Sequence, residues 1–164
     1  MSVSPINVLF LCTGNSARSI MAEAILNGTG GDRFRAHSAG SHPSGKVNPF
    51  ALAQIRKAGL TIAGYRSKSW DEFAAPSAPK MDIVITVCSD AAGETCPVWR
   101  GEPLKAHWGV NDPAAFEGTD EQKDRLFATI YTQLYSRIRI LTSLPLDKLD
   151  RIATQKKLHD IGKT

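Results

Sequence analysis

Hydrophobic and polar positions along this chain follow two patterns, which occur in turn. Short apolar runs predict β-strands, and these runs lie at residues 7–11, 35–38, 81–87 and 105–108. Apolar positions at steps of three and four residues predict α-helices, with a helical turn at 69–73 and longer segments at 19–27, 49–58, 120–144 and 146–161. Strands that alternate with helices form βαβ units, so we predict an α/β fold built on a parallel sheet.

Proline and glycine mark where several of these elements begin and end. Pro49 is suited to open the second helix, and Gly59 is suited to stop it. The helix predicted at 120–144 carries a core-facing apolar stripe, namely Leu126, Ile130, Leu134, Ile138 and Leu141. Pro145 interrupts that helix, so we divide the chain into a main domain at 1–145 and a helical extension of the same domain at 146–164. The weakly amphipathic extension is expected to be a solvated terminal helix, with docking to a partner as the alternative.

Composition and charge narrow the class of protein. The 164 residues are 42% hydrophobic and 22% charged, which is ordinary for one globular domain. The net charge of +4 is not gathered into a basic run, so nucleic-acid binding is not indicated, although a positive field helps recruit a small anion. The sequence lacks both the ~20-residue apolar stretch of a membrane helix and a secretory signal. We expect a monomeric cytoplasmic protein without a membrane partner.

Residues 12–19, with the sequence Cys-Thr-Gly-Asn-Ser-Ala-Arg-Ser, carry the strongest chemical signal. They lie between a predicted strand and a predicted helix, where backbone N–H groups of a tight loop and of the helix N-terminus attract negative charge. Arg18 adds a planar, two-pronged donor that matches two oxygens of a tetrahedral anion. The Gly-Lys-Ser/Thr ending of the nucleotide-binding P-loop is missing. We predict an oxyanion site whose ligands are Thr13, Gly14, Asn15, Ser16, Ala17, Arg18 and Ser19.

Cys12 is the candidate nucleophile of this loop. The positive field favours the thiolate, so we expect a lowered pKa for Cys12 and a reactive sulfur. Ser19 is expected to donate a hydrogen bond to that thiolate, and Asn15 to adopt a tight, left-handed conformation. A cysteine that ends a buried strand can instead be an inert small hydrophobe. The spacing to Arg18 and the strand–loop–helix context favour the nucleophile.

Two further cysteines, Cys88 and Cys96, make an odd total, which argues against a structural disulfide framework. Cys88 follows the strand predicted at 81–87. Ligands bind outside the carboxyl ends of parallel strands, so Cys12 and Cys88 would emerge on one rim if their strands are neighbours ~4.8 Å apart. A zinc site using Cys88, Cys96 and His107 is the alternative, but the spacings fit no familiar zinc pattern.

Five motifs in order resemble the arsenate reductases built on the low-molecular-weight tyrosine phosphatase fold. The motifs lie at residues 12–19, 37–41 (His-Ser-Ala-Gly-Ser), 86–90 (Thr-Val-Cys-Ser-Asp), 96–97 (Cys-Pro) and 107–113 (His-Trp-Gly-Val-Asn-Asp-Pro). The likeness covers residues 7–144 and implies a three-layer fold, in which helices flank a four-stranded parallel sheet. It also implies reduction of arsenate to arsenite through three cysteines.

The resemblance also implies a role for each reacting residue. Arsenate, or a phosphate- or sulfate-like oxyanion, would occupy the loop and be clamped by Arg18. Cys12 would attack arsenic, and Asp112 would protonate the leaving oxygen as general acid. Cys88 would then attack Cys12, expel arsenite and form a disulfide, which Cys96 would carry outward.

No organic cofactor is expected, because a thiol reductant would supply the electrons. Thioredoxin, glutathione with glutaredoxin, and mycothiol all remain open, since the spacing from Cys88 to Cys96 is one residue longer than in the thioredoxin-coupled members. No metal is assigned from the residues themselves. The resemblance matches Asn15, Glu23 and Ser38 to positions that bind a potassium ion in some relatives.

Two other functions use parts of the same pattern. A low-molecular-weight protein tyrosine phosphatase would hydrolyse phosphomonoesters with the same loop, Arg18 and Asp112. It would not need Cys88 or Cys96, and the tandem tyrosines that follow Asp-Pro in many such phosphatases are replaced by Ala-Ala-Phe at 114–116. A non-enzymatic redox sensor would use reactive cysteines but would not need a general acid at Asp112.

Overall fold

A computed structural model describes residues 5–61, 64–88, 99 and 102–164. Four strands form one parallel sheet, namely β1 (Ile6–Leu11), β2 (Phe34–Ala39), β3 (Ile83–Thr86) and β4 (Leu104–His107). Their order across the sheet is β2-β1-β3-β4, so β1 is central and β3 lies beside it. The expected α/β fold with a four-stranded parallel sheet flanked by helices is confirmed.

The helices follow the predicted segments with shifts of a few residues. In the described part of the chain they are α1 (Arg18–Thr29), α2 (Pro49–Lys57), the short α3 (Asp71–Ala74), α4 (Asp120–Ser143) and α5 (Arg151–Ile161), with 3₁₀ turns at Gly31–Arg33 and Leu146–Lys148. Pro49 opens α2 as predicted, and the Asn48 side chain accepts a hydrogen bond from the Phe50 N–H at 2.9 Å. A capping box between Thr119 and Gln122 starts α4.

The central strand explains why the sheet is covered on both faces. Alternate side chains of β1 point to opposite sides, and both sides are buried. Val8 and Phe10 belong to the larger core with α1 and α4, whereas Leu9 and Leu11 belong to a smaller core near α3. A strand buried on both faces reads as a continuous apolar run, which is the pattern at residues 8–11.

Two details of the helical packing differ from the predictions. In α4 the buried stripe starts at Phe127 rather than at Leu126, which is only half-buried. The expectation of a solvated C-terminal helix is wrong, because α5 buries one side against β4. Leu158 is fully buried, and its carbonyl accepts a hydrogen bond from the Trp108 indole N–H at 2.9 Å. No helix among the described residues is long and apolar enough to cross a membrane.

Candidate active site

The sheet order brings the first two cysteines together. Leu11 pairs with Thr86 in the register of β1 and β3, and each strand runs into a cysteine one or two residues later. Cys12 and Cys88 are both buried, and the Cys88 side chain is close enough to raise the pKa of Cys12. The Thr13 N–H also donates to the Cys88 sulfur at 3.3 Å. The predicted placement of both sulfurs on one rim is therefore confirmed.

The carbonyl oxygens of the oxyanion loop (residues 12–19) point away from its centre. Three of them accept hydrogen bonds from the chain that surrounds the loop: Thr13 O from His42 N (2.9 Å), Gly14 O from Ser44 N (3.0 Å) and Ser16 O from Asn48 N (2.8 Å). The N–H that follows each carbonyl in the same planar peptide unit points the opposite way, toward the centre of the loop. Several N–H groups that converge in this way form a concavity for an anion.

The N-terminus of α1 adds to this positive environment. The helix begins at Arg18, and its N-cap residue Ala17 makes no side-chain capping hydrogen bond. The first N–H groups of a helix have no partner inside the helix, and the helix dipole favours negative charge beside them. The loop and the helix together therefore form a positive concavity suited to a small oxyanion, and its binding by residues 13–19 stays a prediction.

Asn15 holds the tight point of the loop. Its φ of 45° is in the left-handed region, as predicted, and its side chain is fully buried. The Asn15 amide donates to Ser19 Oγ at 2.8 Å and to Ser38 Oγ at 3.0 Å, while Asn15 Oδ1 accepts the Lys68 N–H at 2.8 Å. The hydrogen bond expected from Ser19 to Cys12 is not formed between these described residues; the Ser19 hydroxyl oxygen accepts the Asn15 amide instead.

Arg18 joins the oxyanion loop to the segment after β4. One guanidinium nitrogen donates to the Val110 carbonyl at 3.0 Å, and the other lies 3.6 Å from the Asp112 carboxylate. The Arg18 side chain is 12% exposed and that of Asp112 is 45% exposed, so the ion pair lies at the mouth of the site. A guanidinium has five N–H donors, so these two contacts leave capacity for an anion.

The pKa of Cys12 is raised, whereas the sequence led us to expect a lowered one. Interaction with the neighbouring Cys88 side chain and burial of the thiol raise the pKa of Cys12 above its ordinary range, while Arg18 and the Gly14 N–H lower it. The effects that raise the pKa outweigh those that lower it, because a second sulfur is close by and the thiol is shielded from water. The expected lowering therefore requires Cys88 to move away from Cys12.

Gly40 supports the loop by its lack of a side chain. A Cβ at this position would lie 2.4 Å from the Thr13 carbonyl oxygen and 2.5 Å from that of Cys12. These are backbone atoms of the oxyanion loop, so the close approach of β2 requires glycine. In the sequence Gly40 stands out only as part of the 37–41 motif, and nothing there indicates this close approach.

The potassium site implied by the resemblance does not fit this arrangement. The three residues do come together, since Ser38 Oγ accepts from Asn15 and donates to Glu23 Oε1 at 2.6 Å. Asn15, however, turns its amide N–H groups toward Ser38, because its oxygen accepts the Lys68 N–H. The Lys68 ammonium lies 3.5 Å from Ser38 Oγ and 4.0 Å from Glu23 Oε1, which supplies a positive charge at this place.

The third cysteine lies outside the described residues. Cys96 belongs to the segment 89–98, so neither its relay role nor the zinc alternative with Cys88 and His107 can be placed. Within the described ranges, no group of three His, Cys, Asp or Glu side chains is arranged to hold a metal ion. The His107 ring instead shares a 2.7 Å hydrogen bond with Thr86.

Comparisons with known proteins agree with this geometry. The family model described as low molecular weight phosphotyrosine protein phosphatase matches residues 7–156, so the chain belongs to that family. Within it, the chain is 39% identical over 132 residues to an arsenate reductase of Bacillus licheniformis, covering 80% of this chain and 91% of the relative. An arsenate reductase of Halalkalibacterium halodurans is 38% identical, with the same coverage.

A solved structure shows the same architecture. It is described as an arsenate reductase in the phosphate binding state and is 29% identical, with a TM-score of 0.65 over 84% of this chain and 97% of that one. The resemblance drawn from the five motifs is thus confirmed, and so is the prediction that the chain is an enzyme. The supporting residues Gly40 and Lys68 carry no periodic or spacing signal that would have marked them in the sequence.

Proposed function

We propose that this protein reduces arsenate to arsenite, with Cys12 as nucleophile and Cys88 as the second thiol. The observation that carries the proposal is the place of Cys88 beside Cys12, where its sulfur accepts the Thr13 N–H of the oxyanion loop. Phosphate ester hydrolysis needs one thiol, whereas a two-electron reduction needs two sulfurs that can form a bond. The relatives named arsenate reductase support the same assignment.

In the first step, arsenate binds in the loop with Arg18 against its oxygens. The Cys12 thiolate attacks arsenic, a sulfur–arsenic bond forms, and one arsenate oxygen leaves as water. Asp112 gives the proton to that oxygen, and its place beside Arg18 at the mouth of the site supports this role. Arsenic remains pentavalent in this covalent intermediate.

In the second step, the Cys88 thiolate attacks the Cys12 sulfur. A disulfide forms and the sulfur–arsenic bond breaks, with its electron pair going to arsenic. Arsenic is reduced from the pentavalent to the trivalent state and leaves as arsenite, while the two sulfurs are oxidised. The proximity of Cys88 to Cys12, at the ends of neighbouring strands, supports this step.

The position of Cys88 also indicates an order of events. Its sulfur accepts the Thr13 N–H, which belongs to the loop that the oxyanion would occupy. We infer that arsenate binding displaces Cys88 from this N–H and that Cys88 returns for the second step. Displacement removes the largest cause that raises the pKa of Cys12, so substrate binding would favour the reactive thiolate.

Reduction of the enzyme completes the cycle. We propose that Cys96 attacks Cys88 and carries the disulfide to an external thiol, namely thioredoxin, glutathione with glutaredoxin, or mycothiol. No organic cofactor enters this scheme. We also propose a cytoplasmic location, where such reductants keep thiols reduced.

The test is an arsenate-dependent assay with each of the three reductant systems. Wild type is compared with Cys12→Ser, Cys88→Ser and Cys96→Ser, under both multiple turnover and single turnover without reductant. We expect all three variants to lose multiple turnover. Cys96→Ser should still release one arsenite per chain and accumulate a Cys12–Cys88 disulfide, detected by mass spectrometry of the non-reduced peptides.

Each alternative has its own signature in this assay. Activity lost in Cys12→Ser alone, together with hydrolysis of p-nitrophenyl phosphate, would indicate a phosphatase. Full activity in all three variants would refute the proposal. Oxidant-dependent disulfide formation without arsenate turnover would indicate a redox sensor.

A further inference from the structure

Lys68 is a buried lysine directly behind the oxyanion loop. Its side chain is only 8% exposed, although lysine is among the residues that are rarely buried. The ammonium donates to the Arg66 carbonyl at 3.0 Å and to Ser38 Oγ at 3.5 Å, and it lies 4.0 Å from Glu23 Oε1. These contacts are all to oxygen atoms, which are also the ligands that a small monovalent cation takes.

A short chain of hydrogen bonds connects this ammonium to the loop. Ser38 Oγ accepts hydrogen bonds from the Lys68 ammonium and the Asn15 amide, and it donates one to Glu23 at 2.6 Å. The Lys68 backbone N–H donates a hydrogen bond to Oδ1 of the same Asn15 side chain at 2.8 Å. Lys68 therefore acts on Asn15 from both ends, and Asn15 is the residue with positive φ in the loop.

The charge balance favours a paired ammonium at this place. Glu23 is 14% exposed, and a buried carboxylate without a positive partner is strongly disfavoured. Burial raises the pKa of Glu23 and lowers that of Lys68. The Lys68 charge opposes the shift of Glu23, and the Glu23 charge opposes the shift of Lys68. Arg66 adds a weaker positive influence on Glu23, so Lys68 is the principal counter-charge.

We propose that Lys68 is a built-in cation of the oxyanion loop: its ammonium holds Glu23 and Ser38, and through them Asn15, in the anion-binding conformation. The protein consequently binds its oxyanion without help from a monovalent metal ion. Lys68 is a positioning residue, because it acts through Asn15 and does not touch the substrate. The inference rests on the proposed function only in that the loop binds an oxyanion.

The experiment measures binding of inorganic phosphate to the reduced protein by calorimetry. Wild type, Lys68→Met and the control Lys57→Met are titrated in potassium chloride and in choline chloride at the same ionic strength. Methionine keeps the length of the side chain and removes its charge, and Lys57 is an exposed lysine paired with Asp124. We expect wild type and Lys57→Met to bind equally well in both salts.

Lys68→Met should bind phosphate about tenfold more weakly in choline chloride, as expected when a charged hydrogen bond is lost. Potassium should restore part of that affinity, because it can enter the space that the ammonium leaves. A merely structural lysine would give a loss that potassium does not repair. The same pattern is expected in KM for arsenate, with little change in kcat.

Several outcomes separate this inference from the proposed function. Wild type that binds no oxyanion would contradict both. Wild type that binds phosphate more tightly in potassium than in choline would overturn the inference alone, as would Lys68→Met with unchanged affinity. If Lys68→Met fails to fold, the salt comparison on wild type and on Lys68→Arg, which keeps the charge and should remain potassium-independent, decides the question.

Discussion

The Cys88 sulfur lies 3.3 Å from the backbone nitrogen of Thr13, so the second thiol touches the loop that starts with the first. This contact links the two halves of the proposed chemistry, because one N–H serves either the anion or Cys88. The neighbouring Cys88 side chain and burial of the thiol also raise the pKa of Cys12 in this arrangement, although a positive loop surrounds it.

Replacing Cys88 with alanine should lower the pKa of Cys12. The substitution removes the neighbouring sulfur, whose interaction and charge raise that pKa, and leaves Arg18 and the Gly14 N–H, which lower it. The measurement is the pH dependence of alkylation of Cys12 by iodoacetamide, followed by peptide mass spectrometry. Cys96→Ala is the matched control. An unchanged or higher pKa in Cys88→Ala would contradict this account of the site.

The raised pKa of Cys12 predicts a loss of stability at alkaline pH. In the unfolded chain Cys12 ionises near its ordinary value of 9.0, whereas in the folded protein it keeps its proton. The folded state then binds more protons, so the free energy of unfolding falls as pH rises above that value, by about 1.4 kcal/mol per pH unit.

Urea unfolding of reduced wild type and Cys12→Ser across this range measures the effect. The free energy of unfolding of wild type should fall more steeply than that of Cys12→Ser above pH 9.0 and run parallel to it below. Parallel curves over the whole range would show that Cys12 has no raised pKa.

Arg18→Lys should impair catalysis more than folding. Lysine keeps the positive charge but loses the planar fork that reaches Val110, Asp112 and the anion together. We expect kcat/KM for arsenate to fall by about 10²–10³, the usual effect of removing one preorganised donor. Arg33→Lys, which alters contacts to the Thr142 and Leu144 carbonyls, serves as the control and should retain activity. Equal kcat/KM in both variants would exclude Arg18 from the anion clamp.

Gly40→Ala should distort the oxyanion loop. The new methyl group would press on the carbonyl oxygens of Cys12 and Thr13, and relief requires a shift of backbone. We expect the free energy of unfolding to fall by about 1–3 kcal/mol, together with weaker phosphate binding. Chemical denaturation and calorimetry give the two quantities.

Gly28→Ala is the matched control, because its methyl group meets only the flexible end of Leu60. Alanine is also the better helix former, so its effect on stability should stay within about 1 kcal/mol. If Gly40→Ala behaved like this control, the close approach of β2 to the loop would not matter.

Local patterns in the sequence were sufficient to predict the elements and the placement of Cys12 and Cys88 on one rim. The apolar run before Cys12 and the spacing to Arg18 predicted a strand, a loop and a helix, and parallel pairing placed Cys88 beside Cys12. The sequence did not reveal that Phe127, rather than Leu126, starts the buried side of α4. Nor did it reveal that α5 packs on Trp108. Neighbouring apolar residues satisfy a periodic pattern almost equally well, so packing decides between them.

The sequence by itself determined the order of strands and helices, the loop between β1 and α1 and the candidate reacting side chains, because these depend on residue type and short spacing. Only the tertiary structure decided the direction of the pKa shift of Cys12, the need for glycine at position 40 and the place of the Lys68 ammonium. Each of these depends on burial and on contacts between segments far apart in the chain. Such contacts exist only after the sheet has formed, and so no local pattern encodes them.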